Sequence, residues 1–589
     1  MPDGGYSFGA PRIVSAREED IVADSLREFN EMQTWRNVFA AQWEEVAELI
    51  APNSRNTFMV GNFNWPGQKK TDRQVDASGM MALGRFGAIC DSLLTPRNMM
   101  WHGLTANNDY VMKDRATRLW FEDVAKILFK ARYAPIGNFS SQNQNNFQQL
   151  GAFGLLGMFI DEFDNTLYPS IRGIRYKSIP VGELFIRENH QGLVDGFIRW
   201  FRLTARQAWQ KWGPLGTFPE ILRMPLEKGS EQPYNFIHRV VPRNDWDPDR
   251  LDEKGKPYAS YYVSMEGRCL LSEGGYRMIP AAISRYEQAP GEVYGRSPAM
   301  AVLPALKTLN AEKRTFLKQG HRAADPVLLT ADDGIVDMSL RPGAMNKGGV
   351  SAEGRPLVQV LPTGQIQTTL EMMQEERSLI NDSFLVSLFQ ILTETPQMTA
   401  TEVIERTNEK GILLAPTMGR QQSEYLGPMI ERELDVLSAQ GLLPPMPPRL
   451  REAKGEYQVV YSSPLSRAMR AQEASGFIRS VEIAKEIVNI TQDHSYLDPF
   501  DFDTAMPAIA EINGTPFSWM ADDETIQKKR QARADAQKRQ EQIQAAPAQA
   551  GMLKAQAAAA KAGVPLGPPA PGQAPASGGR PLAEQVMGA

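Results

Sequence analysis

Apolar side chains recur at spacings of three and four residues in the N-terminal part of the chain, as amphipathic helices require. The first stretch, 21–51, predicts one long helix that ends at Pro52. The apolar face of this helix is expected to consist of Leu26, Phe29, Met32, Trp35, Phe39, Trp43, Val46 and Ile50. Similar patterns predict helices over 77–94, ahead of Thr95-Pro96, and over 115–132.

Residues 150–290 change to runs rich in β-branched and aromatic residues and bounded by Gly, Pro and Asn, which indicates strands. The predicted strands are 157–161, 173–179, 193–201, 234–241 and 258–265. One helix interrupts them, because Thr204 and Gln207 form a capping box. The predicted fold class is therefore α+β.

A helix, a small β insert and a second helix are predicted between residues 297 and 386. Ser297-Pro298 begins the first helix, which extends to about residue 323. Residues 325–363 are rich in turn residues around short strand-like runs at 326–330 and 356–361. A helix from 364 follows, so the two ends of the insert must lie close together.

The pattern after the second helix predicts a short loop over 387–399 and then a long helix to about residue 440. Thr399 and Glu402 form the capping box that begins this helix. Glycines and prolines are expected to kink it, at Gly411, Pro416 and Gly427-Pro428. A strand over 455–461 and a helix over 464–491 follow.

The two ends of the chain differ from its middle in composition. Residues 1–20 are rich in Gly, Pro and charge, and we expect them to be loose. A polar stretch after residue 521 has a helical pattern. Residues 545–589 are rich in Ala, Pro, Gly and Gln and cannot bury enough apolar surface to fold alone, so we expect them to be disordered.

Composition excludes several classes of protein. The chain has 64 Lys and Arg against 69 Asp and Glu, a net charge of −5, which argues against a strongly basic nucleic-acid-binding protein. Two cysteines, Cys90 and Cys269, and scattered histidines predict neither a disulfide framework nor a zinc site. Apolar runs are too short for a membrane span, and the N-terminus lacks a signal-peptide layout, so we expect folding in a reducing cytoplasm.

Motifs for catalysis or cofactor binding are missing from the sequence. It contains no G-x-x-x-x-G-K-[ST], H-E-x-x-H, C-x-x-C or G-x-G-x-x-G, so neither an enzyme nor a cofactor is expected. Ser7 fits a nucleophile-elbow pattern, but the four residues before Gly5 cannot supply the strand that an elbow needs. The acidic run 245–253 resembles a calcium loop, but Arg250 stands at the glycine position. A solvated hairpin loop is favoured there, with incidental cation binding as the alternative.

Four groups of residues, in a fixed order, resemble one known family. They are Trp35-Arg36 with Trp43 and Ile50 to Pro52; Asp76 to Gly79 with Leu93 to Pro96 and Trp101; Glu292 to Met300 with Leu303 to Asn310; and Pro396 to Glu402 with Gly419 to Gln421. Their order and spacing are similar to those of the head-to-tail connecting (portal) proteins of short-tailed, podovirus-like tailed bacteriophages. The likeness covers about residues 20–520.

The resemblance implies a ring, usually of twelve subunits, at one capsid vertex of the virion. Double-stranded DNA would be packaged and ejected through its channel, after assembly in the host cytoplasm. The implied partners are the terminase large subunit, tail adaptor or tail proteins, and the major capsid and scaffolding proteins. The implied segments are a flexible N-terminus (1–20), a wing (21–296), a stem helix (297–324), a clip (325–363), a second stem helix (364–386), a channel loop (387–399), a kinked wing helix and returning strand (400–463), a crown (464–520) and a tail (521–589).

Charged residues form one stripe on each predicted stem helix. A basic stripe about 80° wide lies on the first helix and an acidic face on the second: Lys307, Arg314, Lys318 and Arg322, then Glu371, Glu375 and Asp382. The basic stripe either lines the channel and contacts DNA phosphates, or pairs with the acidic stripe of a neighbouring helix and holds the ring together. Pairing is favoured, because each neutralised phosphate would add salt-dependent affinity and slow the sliding of DNA.

Two further sets of candidate residues follow from the implied segments. The channel loop is apolar with one charge, and the residues expected to narrow the channel are Leu388, Phe389, Gln390, Ile391, Leu392 and Glu394. A buried hairpin is the alternative for this loop. In the clip, Arg341, Lys347 and Arg355 are candidate contacts for the motor or the tail, with ordinary solvated loop charge as the alternative.

Two other functions fit parts of the sequence. A tail adaptor or minor capsid protein would lack the insert between two stem helices. A DNA-processing enzyme would need carboxylates gathered at strand ends, whereas the acidic cluster here lies in a loop between strands.

Overall fold

The fold is that of a computed structural model, which describes residues 15–60, 67–112, 114–163, 172–330, 339–362, 366–387, 419–453, 455–461, 464–512, 515 and 519–561. The chain divides into two compact units, Met1–Phe517 and Ser518–Ala589. Within the described ranges, no helix is both long enough and apolar enough to cross a bilayer.

Among the described residues, five helices precede the first long strand. They are α1 (Ala16–Leu49), α2 (Ser78–Leu94), α3 (Asp109–Met112), α4 (Arg115–Arg132) and α5 (Phe139–Phe153). Side-chain caps begin two of them, because Ser15 accepts from the Glu18 amide and Asp114 accepts from the Thr117 amide. The helices predicted over 77–94 and 115–132 are confirmed, and the one predicted over 21–51 is present but begins earlier, at Ala16, so residues 16–20 are helical rather than loose.

Antiparallel sheets make up the second part of the predicted wing. A five-stranded sheet follows chain order: β4 (Leu184–Glu188), β5 (Val194–Thr204), β6 (Pro233–Pro242), β7 (Tyr258–Ser264) and β8 (Cys269–Tyr276). A three-stranded sheet has the order β3 (Ile174–Ser178), β2 (Leu155–Glu162) and β9 (Ala281–Arg285). Each of the five predicted strands overlaps one of these elements, with bounds that differ by one to three residues at some ends, whereas β4, β8 and β9 were not predicted. The capping box of Thr204 and Gln207 begins α6 (Ala205–Trp212), while α7 (Arg223–Glu227) precedes β6.

The predicted helix, β insert and helix are all present. The first stem helix is split at Val302 into α8 (Pro298–Ala301) and α9 (Leu303–Ala324). The insert contains β10 (Leu328–Thr330) and β11 (Val358–Val360), and the second stem helix is α10 (Ile366–Ser383). Helices α9 and α10 pack against each other, and the Thr369 hydroxyl of α10 donates to Gln319 of α9 at 3.3 Å.

The remaining elements of the first unit return to the wing and then form the predicted crown. A π-helical turn, Gln421–Leu426, leads into α11 (Gly427–Ala439), so the helical hydrogen-bond pattern changes just before Gly427-Pro428. The first part of this predicted helix, with the kinks expected at Gly411 and Pro416, lies outside the described residues. After α12 (Pro448–Glu452), β12 (Gln458–Tyr461) pairs antiparallel with β1 (His102–Thr105). The crown segment contains α13 (Pro464–Thr491) and α14 (Phe502–Ile512).

The second unit contains one helix, α15 (Asp523–Lys561), among its described residues. This helix continues to Lys561, although the composition predicts disorder from residue 545 onward. Residues 545–561 are rich in Ala, the strongest helix former, and carry prolines and glycines at few positions.

The main core contains the apolar faces of α1, α2, α4 and α5 and the three-stranded sheet. The observed burial along α1 differs from the sequence prediction at one position. Trp35, assigned to the buried face, has 80% of its side chain exposed, whereas the adjacent Arg36 is buried. The Arg36 guanidinium donates to the Gly182 carbonyl at 2.7 Å and the Phe58 carbonyl at 2.6 Å. Burial lowers the pKa of Arg36 to about 10.

Candidate functional site: the wing–stem junction, stem and clip

The turn Tyr294–Pro298 brings two backbone segments into direct contact where the first stem helix begins. Gly154, which ends α5 with a φ of +75°, lies so close to Gly295 that a side chain on either residue would overlap the other's carbonyl. The Tyr286 amide donates to the Gly154 carbonyl at 3.0 Å, which holds the crossing in place. Both positions therefore require glycine, for close approach and, at residue 154, for the left-handed backbone.

Side chains on either side of Gly295 set the direction in which the stem leaves the wing. Tyr294 is buried and meets Trp43 edge-on, with ring centroids 5.6 Å apart. The Ser297 hydroxyl donates to the Ala152 carbonyl at 2.8 Å and accepts from the Met300 amide at 3.0 Å. One hydroxyl thus caps the first helical turn and fastens it to α5. Burial raises the pKa of Tyr294 to about 12.

A second contact joins the start of α2 to both stem helices. Asp76 forms an ion pair with Arg377 of α10 at 2.7 Å and accepts from the Ser78 amide at 2.8 Å. A side chain on Gly79 would lie 2.7 Å from Leu306 of α9, so this glycine permits close packing. Burial alone would raise the pKa of Asp76, but hydrogen bonds from Ser78 and Arg377 hold it below the usual value.

The loop before α2 binds the outer side of α9. Asn310 accepts from the Val75 amide at 2.8 Å and donates to the Arg73 carbonyl at 3.1 Å. Arg314 donates to the same carbonyl at 2.8 Å. Lys307 pairs with Glu45 of α1 at 2.7 Å, with both side chains about half exposed. Two members of the predicted basic stripe thus contact the wing of their own chain.

The other predicted stem charges do not meet each other within one chain. Glu371 accepts from the Gln367 amide group at 3.3 Å. The remaining members are exposed, and no ion pair joins them to any described residue: Lys318, Arg322, Glu375 and Asp382. Pairing of the two stripes between chains, like contact with DNA, stays a prediction.

Two carboxylates that we did not predict face each other between the stem helices. Glu312 of α9 and Glu376 of α10 each have a buried Oε2 atom without a hydrogen-bond partner among the described residues. Burial raises the pKa of Glu312, and the charge of Glu376 raises it further. Helical spacing could have identified both glutamates from the sequence. Glu312 lies three residues after Leu309 and Glu376 three residues after Met373, and both of these apolar residues are buried.

The described residues of the clip form no interior within one chain. Its strands β10 and β11 pair only with each other, and no residue within 325–330 or 339–362 is buried. Large apolar side chains are exposed there instead: Val327, Leu329, Leu340, Met345, Val350, Leu357, Val360 and Leu361. The candidate contact residues are also exposed: Arg341, Lys347 and Arg355. Arg355 lies 4.0 Å from Glu353, a pair that contributes little at such exposure.

A fully buried ion pair anchors α11 to the wing. Arg132 of α4 and Glu433 bind through two contacts, with Nε to Oε1 at 2.9 Å, and neither side chain reaches solvent. The Tyr176 hydroxyl donates to Glu433 at 2.7 Å, and the Trp101 ring lies 4.5 Å from the guanidinium. Arg132 also contacts His102 at 3.2 Å, and burial followed by that charge lowers the pKa of His102 well below its usual value.

A metal site would need several acidic, histidine or cysteine side chains to meet among the described residues. No group of three potential metal ligands occurs among them. The acidic run 245–253 joins the antiparallel strands β6 and β7, as predicted, and its carboxylates pair with bases in the same loop, Asp252 with Arg250 and Asp245 with Lys254. The channel-loop candidates lie outside the described residues: Leu388, Phe389, Gln390, Ile391, Leu392 and Glu394.

Comparisons with known proteins match nearly the whole chain. The family described as "Bacteriophage head to tail connecting protein" matches residues 23–521. The probable portal protein of Bordetella phage BPP-1 is 26% identical over 533 residues, which cover 88% of this chain and 92% of the relative. The portal protein of Salmonella phage epsilon15 is 26% identical over 539 residues, covering 89% and 92%. A solved neck of an empty gene transfer agent particle aligns at 10% identity and a TM-score of 0.33, covering 69% of this chain and 86% of that one.

Proposed function

Because this chain belongs to the family of bacteriophage head to tail connecting proteins, we propose that it is the portal subunit of a closed ring at one capsid vertex. Double-stranded DNA passes through the ring without sequence readout during packaging and ejection. The clip meets the terminase motor and later the tail, and the wing meets capsid and scaffolding proteins. The chain supplies a channel and docking surfaces and has no catalytic step of its own.

One observation carries the ring proposal: none of the described residues of the clip is buried. A two-stranded hairpin without an apolar core is marginally stable in water. The exposed side chains of Leu340, Met345 and Val350 would need cover from another chain to leave water. A closed cyclic ring supplies such cover to every copy through one repeated heterologous contact. The insert between α9 and α10 also favours a portal over a tail adaptor or minor capsid protein.

Native mass spectrometry, with negative-stain images of the same sample, tests this proposal. Twelve 65.6-kDa chains form a closed ring of about 790 kDa. We expect this mass and a central hole of DNA width, formed either alone or with scaffolding protein. A compact dimer as the final assembled species, with or without scaffolding protein, would contradict the proposal.

Charge reversal in the stem distinguishes the two roles of the charged stripes. We propose that Glu375 pairs with a basic residue of a neighbouring chain, so Glu375→Lys should weaken ring assembly, and Lys318→Glu in the same chain should restore part of it. Glu227→Lys, an exposed charge change on α7, is the matched control. If Glu375→Lys rings assemble normally while packaging changes, the stripes contact DNA instead.

A further inference from the structure

A cavity of about 380 Å³ lies in the wing between α4, α11 and the segment 443–457, away from the stem and clip. Its lining includes the aromatic residues Trp120 and Tyr457 and the aliphatic residues Leu434 and Met446. The Trp120 indole donates to the Pro444 carbonyl at 3.1 Å, which fixes one aromatic wall. Cavities of this size hold small organic ligands or single long side chains.

Two carboxylates line the same cavity, and only one of them has a basic partner among the described residues. Asp435 pairs with Arg432 at 2.5 Å. Glu431 is half-buried, and no basic side chain among the described residues pairs with it. Burial raises the pKa of Glu431 above its usual value. Burial raises the pKa of Tyr457 to about 12, and both carboxylates contribute, as expected from their closeness to this ring. The cavity is thus lined by one carboxylate without a basic partner among the described residues and by two aromatic residues.

We propose that this cavity binds a primary aliphatic ammonium group, with the cation against Glu431 and the hydrocarbon stem along Leu434 and Met446. Aromatic faces such as those of Trp120 and Tyr457 attract cations, most strongly where water is excluded. A charge-assisted hydrogen bond from an ammonium group would stabilise the charged form of Glu431, which its partial burial disfavours. A neutral apolar ligand would leave that charge unbalanced. A divalent metal would find too few oxygen ligands.

Calorimetric titration of the full-length chain with n-butylammonium tests the proposal. Wild-type protein should bind the cation, and n-butanol, which has the same stem and no charge, should bind at least about tenfold more weakly. Glu431→Gln should weaken the binding of butylammonium by about tenfold or more, the usual effect of losing a hydrogen bond to a charged group. Glu452→Gln, an exposed carboxylate on α12, should bind as the wild type does.

Three results would overturn the proposal: no binding of butylammonium up to about 10 mM, equal binding of butanol, or equal binding by Glu431→Gln. Thermal unfolding checks that this variant is folded, and we expect no decrease because an unpaired, half-buried charge has been removed. Tyr457→Leu keeps the carboxylate and removes an aromatic face, so it should weaken butylammonium several-fold. If Tyr457→Leu weakens the binding of butanol by the same factor as that of butylammonium, the Tyr457 side chain contributes only apolar contact. That result would contradict its proposed role in binding the cation.

The ammonium group has two possible sources, a free diamine or the lysine side chain of another chain. Titration with 1,4-diaminobutane and with an N-acetyl-lysine amide separates them, because the bulkier lysine derivative must enter by its side chain. Preference for the diamine identifies a small-molecule site. Preference for the lysine derivative, with weaker self-association of Glu431→Gln in sedimentation, identifies a contact between chains. The cavity does not depend on the proposed ring, so either proposal can fail without the other.

Discussion

Glu433→Gln should be among the most destabilising single substitutions in the wing. The change keeps the shape of the side chain but removes the charge that balances Arg132, and both residues are completely buried. Breaking a buried ion pair by neutralising one partner costs about 3–5 kcal/mol, because the remaining charge cannot return to water. Tyr176 and His102 offer Arg132 no compensating negative charge.

This free energy converts into a measurable shift in unfolding temperature. Unfolding entropy is about 2.1 cal/mol/K per residue, or about 1 kcal/mol/K if the first unit, Met1–Phe517, unfolds cooperatively. We therefore expect Glu433→Gln to lower the midpoint by about 3–5 °C in differential scanning calorimetry. Neutralising Lys126, which pairs at the surface with Glu122 at 2.8 Å, is the control and should shift it by less than about 1 °C.

A double variant tests the mechanism behind this loss of stability. Arg132→Met combined with Glu433→Leu replaces the pair with apolar side chains of similar length, so no unbalanced charge remains buried. It should be more stable than Glu433→Gln, although Tyr176 loses its acceptor. A midpoint for Glu433→Gln within 1 °C of the wild type would refute the reasoning, since it would mean that water or another group reaches Arg132.

Three other outcomes follow from the structure. Gly295→Ala should lower stability by about 1–3 kcal/mol or more through overlap with Gly154, whereas Gly84→Ala, in open space on α2, should stabilise by up to about 1 kcal/mol in thermal unfolding. Burial, with help from nearby basic groups, holds the pKa of His238 well below its usual value. Below about pH 6.5 the unfolded chain takes up a proton that the folded chain does not, so stability should fall with decreasing pH by up to about 1.4 kcal/mol per unit, and His238→Gln should reduce that slope in urea titrations. Trp35→Ser should leave the midpoint of the isolated chain within about 1 °C, because the side chain is exposed; a larger loss would contradict its position.

Periodicity predicted the long helices other than α5 and many of the strands, and it missed α5 because buried polar residues interrupt the apolar pattern there. Helix α5 was not predicted, because its inward face includes Asn143 and Asn146. Asn143 donates to Asp91 at 2.6 Å, and Asn146 accepts from Ser178 at 2.5 Å. Hydrogen bonds of this kind make polar residues fit for a core, but their partners lie far away in sequence. No local pattern could have identified them.

The inversion at Trp35 and Arg36 has the same origin. A tryptophan at helical spacing is normally assigned to the core and an arginine to the surface. Here the guanidinium reaches three carbonyl groups of the segment 181–184 and that of Phe58. Arg36 also lies 3.7 Å from the centre of the Phe185 ring. Segments that are distant in sequence form this polar pocket, so the sequence around Arg36 could not predict that its side chain is buried.

Contacts at the wing–stem junction explain why several residues in the segments that resemble the family have the identity they have. Gly295 meets Gly154, Asp76 holds Arg377, and Gly79 admits Leu306. These contacts join the well-packed wing to α9, which has no buried residue after Leu309, and to the described residues of the clip, none of which is buried. Stability of the isolated chain should therefore depend on the wing and the junction, whereas substitutions in the clip should affect assembly alone. A protein organised in this way can keep a rigid body in each subunit while the central parts gain order from their neighbours.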